Sequence, residues 1–111
     1  RRYKPQASDT TKTFKHLPLY HYESFEDFYG HMPHECRLVG VELEESAISL
    51  LEYDHPERAI YLLGAEDSGL SEEALKLCDD LLVIPSVHCL NVAVAGAIVM
   101  YDRLAKVGAY V

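Results

Sequence analysis

The chain has 111 residues, 49% of them hydrophobic and 25% charged, with a formal net charge of −8. That is the composition of an ordinary globular domain, and one at most; no apolar run reaches the ~18 residues of a membrane span, and no signal-peptide pattern is present. Residues 1–15 hold Arg1, Arg2, Lys4, Lys12 and Lys15 against Asp9 alone, while the remainder carries five basic and seventeen acidic residues, which argues against broad electrostatic binding of nucleic acid and leaves open a local phosphate-contacting patch or a solvated basic loop.

Residues 1–16 are polar, with Pro5 and little periodicity, and read as a basic loop. Residues 16–21 (HLPLYH) suggest a short strand, with Pro18 favouring an edge position. Ser24 is a candidate N-cap for a short helix carrying Phe25, Phe28 and Tyr29, with Glu26 and Asp27 in its first turn and Gly30 as its stop. Leu38 to Leu43 (LVGVEL) predicts a buried strand, and Glu44 to Leu51 (EESAISLL) a helix or a turn of one, broken by Asp54, His55 and Pro56. Ala59 to Leu63 (AIYLL) is a compact apolar strand of the kind buried on both faces of a parallel sheet. Ser71 caps a helix over Glu72–Cys78, and Leu81 to Ile84 (LLVI) is the last strand. Asn91 opens a long helix to about Lys106, before Gly108. Strands alternating with helices predict an α/β domain with a mainly parallel sheet and helices on both faces.

Two strand ends carry loops suited to a ligand, since α/β sheets bind ligands beyond the carboxyl ends of their strands. After Ala59–Leu63 comes Gly64, which lacks a side chain and would let a flat ligand approach the backbone, then Glu66, Asp67, Ser68 and Gly69. The turn has no Lys and no GxxxxGK spacing, and its two acidic residues would repel phosphate, so it suits a cationic or hydroxyl-bearing ligand. A plain strand-to-helix turn is the alternative. After Leu81–Ile84 come Pro85 and then Cys89-Leu90-Asn91, in which Asn91 can serve as an N-cap. Ala93, Ala95, Gly96 and Ala97 make the last helix small and apolar on most sides, as for a helix buried on several faces.

Three other features invite a functional reading. His31, His34 and Cys36 are zinc-ligand types, but without a second pair they read as surface histidines and a strand-start cysteine, with no metal expected. Tyr20, Tyr22 and Tyr29 can stack on bases, though packing in a core or interface is the simpler use. Cys36, Cys78 and Cys89 lack paired spacing and read as buried free thiols in a reducing compartment. The opening Arg1-Arg2-Tyr3, with no initiator methionine, reads as a fragment or a processed product.

The segments LLGAEDSGLS, IP and CLNVAVAGAIVMYDR, in that order and spacing over about 45 residues, resemble the second and third motifs of the SpoU or TrmH family, the ribose 2′-O-methyltransferases of the SPOUT class. The resemblance implies a single SPOUT domain over residues 1–111, with a deep C-terminal trefoil knot across 59–106. Knots are otherwise almost absent from proteins, and composition does not suggest one. It implies S-adenosylmethionine as cofactor, with Gly64, Ile84 and Leu90 contacting it, Leu63 and Pro85 shaping its adenine pocket, and Glu66 and Asn91 as supporting polar residues of the catalytic site. It further implies a cytoplasmic homodimer acting on tRNA or rRNA, with no membrane or metal partner.

Two departures stand out. The family usually has Ser where this chain has Cys89, which weakens or replaces a hydroxyl hydrogen bond. The family's first motif, an Asn followed by an Arg thought to assist deprotonation of the ribose hydroxyl, is not matched by Arg1 and Arg2. The resemblance therefore implies an N-terminal truncation, with the base upstream and the fragment inactive by itself. The rival expectation is a noncatalytic knot domain that binds nucleotide or RNA, or only dimerises.

Overall fold

The computed structural model describes residues 18–44, 46–65, 68–86 and 90–108, and the chain divides into two compact units, 1–33 and 34–111. The basic segment 1–16 lies outside the described residues. In the first unit, α1 (Phe25–Gly30) starts where the sequence predicts. Ser24 Oγ accepts the N–H of Asp27 at 3.0 Å, while Glu26 and Asp27 complement the helix dipole. Gly30 belongs to the helix, and His31 is its C-cap. The helix brings its rings together, Phe25 with Tyr29 at 5.9 Å and Tyr22 with Phe28 at 5.6 Å, but Tyr20, Tyr22 and Tyr29 stay exposed rather than joining a core. Of the strand predicted over 16–21, the described residues 18–21 retain one bridge, at Tyr20.

In the second unit, β1 (Arg37–Val41), β2 (Ile48–Ser49), β3 (Ala59–Leu63) and β4 (Asp80–Val83) form one parallel sheet in the order β2-β4-β1-β3. Val41 is in register with Leu63 on one side and Leu82 on the other. Side chains alternate across a strand, so Val39 and Val41 share a face with Tyr61 and Leu82. On that face lies the buried cluster of Val39, Leu50, Tyr53, Leu82 and Val99, flanked by Val41, Ala59, Tyr61, Ile84 and Ile98. Val99 and Ile98 come from α3 (Val92–Val107). The opposite face meets the end of α2 (Glu72–Leu77): a Cβ at Gly40 would crowd Cys78 Sγ, Leu81 and Leu70. The parallel sheet thus has a helix against each face, as predicted.

Segment 44–51, read as a helix or a turn of one, is no α-helix in its described residues. Ile48 and Ser49 pair with Leu82 and Val83 as a parallel edge strand, and Leu50–Glu52 forms a 3₁₀ turn in which Ser49 Oγ accepts the N–H of Leu51. Pairing with a strand more than thirty residues away outweighs the local pattern. The buried Leu50 gains a place beside Leu82 and Val99. The strand read as 38–43 stops at Val41, and that read as 81–84 runs Asp80–Val83. Both remaining helices have the caps that the sequence suggests. Ser71 Oγ accepts the N–H of Ala74 at 3.1 Å, Asn91 Oδ1 that of Val94 at 2.8 Å, and Gly108 closes α3 with φ of 72°. Cys36 and Cys78 are free thiols, half-buried rather than buried, and Cys89 lies outside the described residues.

Polar side chains tie the amino-terminal end of the sheet. Arg37 Nη2 donates to Asp80 Oδ1 at 3.2 Å and Tyr53 Oη to Asp80 Oδ2 at 2.7 Å. Asp79 accepts the N–H of Leu38 on its carboxylate and donates its own N–H to Leu38 O. Burial, reinforced by the hydrogen bond to Asp80, raises the Tyr53 hydroxyl well above the usual tyrosine range. Hydrogen bonding from Tyr53, then Arg37, holds the Asp80 carboxyl below the usual aspartate range.

A second network fastens the C-terminal half of α3 to the crossover before β3. The fully buried His55 ring bridges Tyr61 Oη and Asp102 Oδ2, the latter at 2.7 Å. Arg103 donates to the carbonyls of Pro56 and Glu57 and to Tyr61 Oη. Lys106 reaches the carbonyls of Leu50 and Tyr53 and pairs with Asp102 at 3.0 Å. Burial works against the Asp102 charge, yet hydrogen bonds from His55 and Lys106 hold its carboxyl below the usual range. Every polar link in this network spans at least two elements or is made along α3 itself, so the helix is seated by side chains the apolar pattern does not reveal.

Candidate functional site

Three strands end side by side at the carboxyl edge of the sheet. The shared register of Val41 with Leu63 and with Leu82 places Leu63-Gly64 and Ile84-Pro85 on either side of β1, about 9–10 Å apart as two strand spacings dictate. The N-terminal part of α3 comes to the same edge. A Cβ at Gly96 would lie 3.7 Å from Leu63 Cδ1, and Asn91 precedes Gly96 by less than two helical turns. Leu63, Gly64, Ile84, Pro85, Leu90 and Asn91 are therefore gathered at one end of the sheet. Glu66 falls outside the described residues.

The local reasons are specific. Gly64 follows β3 directly, and the loop after it turns straight back. The N–H of Gly69 donates to Ala65 O at 2.8 Å, and the two residues form an antiparallel bridge. A Cβ at Gly64 would fall less than 3 Å from the backbone of Gly69 and Leu70. The space beside the Gly64 Cα is thus filled by the loop's own returning backbone, so the absence of a side chain serves the turn. Gly69 has φ of 69°, a left-handed conformation that glycine adopts without strain. On the other side of β1, Pro85 cannot donate to a ladder, and β4 ends at Val83. Pro85 and Leu90 are exposed and Ile84 half-buried, which leaves apolar side chains facing solvent at the strand ends.

Asn91 is an N-cap whose Oδ1 is engaged by Val94. The cap uses only the oxygen of the amide, so it is compatible with the site reading of the same side chain. Glu42, which sequence reasoning passed over, also stands at this edge. It follows β1, donates its N–H to Leu82 O at 2.9 Å, and its carboxylate Oε2 accepts the N–H of Leu70 at 2.7 Å. An acidic residue near the end of an apolar run was a signal for its place at this edge, but not for its partner Leu70, 28 residues away.

His31 Nδ1 engages Asp27 O at 2.7 Å, and the carbonyl of His34 accepts from Arg58. No group of three or more His, Cys, Asp or Glu able to hold a metal ion occurs among the described residues. No described helix is long and apolar enough to cross a membrane. Burial, with Asp79 adding to it, pushes the Cys78 thiol up, away from a reactive thiolate.

Comparison with known proteins matches residues 2–101 to the model of the SpoU rRNA Methylase family. The tRNA (guanosine(18)-2'-O)-methyltransferase of Escherichia coli (strain K12) is 33% identical over 69 residues, 60% of this chain and 30% of the relative. The enzyme of the same name from Thermus thermophilus is 41% identical over 63 residues, 54% of this chain and 32% of its own length. The chain therefore spans about a third of these curated relatives. A solved structure concerned with 2-OH methylation of C/U34 on tRNA superposes with a TM-score of 0.79 at 27% identity, covering 96% of this chain and 74% of that one.

Proposed function

The chain belongs to the SpoU rRNA Methylase family, and on that premise we propose that its protein transfers a methyl group from S-adenosylmethionine to a ribose 2′-hydroxyl of tRNA or rRNA. The observation that carries this reading is the family match over residues 2–101, which spans both loops at the carboxyl edge. The names of the relatives point the same way, one group acting on guanosine 18 of tRNA and another structure concerning position 34.

The residues present suit the cofactor. A purine needs apolar side chains on its faces and backbone groups at its edges, and Leu63, Ile84, Pro85 and Leu90 offer the first around strand ends that offer the second. Ile84 and Leu90 would contact the cofactor, as would the main chain at Gly64, whose Cα side is taken by the turn, with Leu63 and Pro85 against the adenine. When bound, S-adenosylmethionine supplies an electrophilic methyl on a sulfonium. The chain's part is to hold donor and acceptor in line and exclude water, which in such transfers provides most of the acceleration. Asn91 would orient polar groups through its amide nitrogen while its oxygen caps α3, and Glu66 is assigned a supporting role. No residue between 1 and 111 is assigned as the base; the family's first motif supplies the Arg for that role.

The same reading extends to the knot and the assembly. α3 is the helix that would be tucked through a preceding loop. Its outward side carries Val94, Met100, Tyr101, Leu104 and Val107, all exposed. The sequence led us to expect α3 buried on several faces; within the subunit its buried residues are Ala95 and Val99 alone. We assign the outward stripe to a second copy of the protein, with the RNA site shared between cytoplasmic subunits.

Calorimetry of the full-length protein with S-adenosylmethionine, followed by mapping of labelled methyl groups transferred to tRNA and rRNA, tests the proposal. Binding and a 2′-O-methylated nucleotide are expected. A folded protein that binds no donor would refute it, and binding without transfer to any tRNA or rRNA would favour the noncatalytic domain.

A further inference from the structure

Glu42 makes contacts that a solvated acidic residue at the end of a strand does not need. Its Oε2 accepts the N–H of Leu70 at 2.7 Å, its Oε1 accepts the N–H of Leu43 at 3.1 Å, and its own N–H is fixed on Leu82 O. The Gly69–Leu70 segment that it grips is also held from its other side. Gly69 donates to Ala65 O, and a Cβ at Gly69 would clash with the Glu42 carboxylate. A Cβ at Gly64 would clash with the same Gly69–Leu70 segment. The peptide joining Gly69 and Leu70 is thus pinned by the bare Cα of Gly64 and by a charged acceptor rooted in the central strand. Leu70 and Glu42 are 28 residues apart, so the contact joins two of the three strand ends that form the site.

We propose that Glu42 is a positioning residue for the methyl donor, holding the Gly69–Leu70 peptide beside Gly64 in its binding position before the donor arrives. This rests on the reading that the carboxyl edge binds S-adenosylmethionine. A hydrogen bond to an ionised acceptor is stronger than one between neutral groups, and a loop that must be ordered on binding lowers apparent affinity by the fraction of time it is competent. Removing the carboxylate should therefore weaken donor binding without touching the chemical step.

The test compares wild-type full-length protein with Glu42→Ala and Glu42→Gln, by calorimetry with S-adenosylmethionine, by kcat and KM for the donor, and by hydrogen exchange at the Leu70 amide in the unliganded protein. Glu42→Ala should raise Kd and donor KM by about tenfold or more with kcat at saturation within about threefold, the pattern of lost preorganisation. Its Leu70 amide should exchange faster. Glu42→Gln keeps an acceptor at the same reach and should recover most of the affinity and the protection. Should Glu42→Ala not fold, Glu42→Asp, one methylene short of Leu70, takes its place with the same expectation. Unchanged affinity or unchanged Leu70 protection in the folded variant overturns the proposal. Failure of the wild type to bind the donor defeats the donor-site reading instead, while the exchange experiment still decides whether Glu42 holds the Gly69–Leu70 peptide.

Discussion

Asn91 caps α3 and is proposed to act in the site as well, and two substitutions separate the observed role from the proposed one. Its oxygen caps α3 by accepting the N–H of Val94, and Asp performs that task about as well as Asn. Asn91→Asp should therefore leave the melting temperature close to that of the wild type while removing the amide donor proposed to act in the site. Methyl transfer should fall on the order of tenfold, as when one positioned hydrogen bond to a polar partner is lost. Asn91→Ala should lose the cap as well, at a cost of about 1 kcal/mol of stability. Full activity in Asn91→Asp would remove the residue from the site and leave it a cap. The contrast with Glu42 shows what was legible at this scale. Asn91, Ser24, Ser71 and Gly108 could be read from the sequence because a cap acts on backbone within four residues of itself. Glu42 could not, because the N–H it accepts belongs to Leu70, across a crossover and another strand.

Among elements, the strands predicted best were those whose burial decides their pattern. Ala59–Leu63 was read to the residue, since an apolar run between breakers leaves little alternative. Ile48–Ser49 was misread because a two-residue strand at the edge of β4 exists only through its pairing. The seats of these elements were illegible for the same reason. Tyr53, at the end of the 3₁₀ turn, donates to Asp80 at the start of β4, and Arg37 of β1 shares the carboxylate.

That junction predicts a pH response on both flanks. Asp80 is held below the ordinary value of about 4, so the unfolded chain takes up its proton first. Its contribution is complete above that value and is lost as pH falls through it. Tyr53 is held above the ordinary value of about 10, so the unfolded chain releases its proton first. Its contribution is complete below that value and is lost as pH rises past it. Tyr53→Phe removes the alkaline loss and, by taking a hydrogen bond from Asp80, also shrinks the acid one. Melting temperatures measured from pH 3 to pH 11 should therefore vary less for Tyr53→Phe than for wild type at both ends. An unchanged profile would mean that the junction contributes nothing measurable to the fold.

At the scale of the molecule, α3 separates its two sides by chemistry. The inner side seats Ala95 and Val99 on the sheet and locks Asp102, Arg103 and Lys106 to the segment around His55. The outer side repeats apolar residues at 94, 97, 101 and 104, the three- and four-residue spacing that keeps one face of a helix continuous, and ends in Val107. Met100 is 62% exposed and Tyr101 75%, large values for such side chains on a helix whose other side is so firmly anchored. An apolar stripe of this kind in water marks an interaction surface, and the proposed occupant is a second copy. Because neither Met100 nor Tyr101 belongs to the buried cluster, charging both should spare the subunit fold. The full-length wild type should sediment as a dimer, and the double variant Met100→Glu, Tyr101→Glu as a monomer. The wild type's melting temperature should rise with protein concentration, as it does when association stabilises the native state, and that dependence should vanish in the variant. A wild type that sediments as a monomer at tens of micromolar, a concentration at which a stable dimer with Kd below about 1 μM would be well populated, would leave the stripe without its proposed partner.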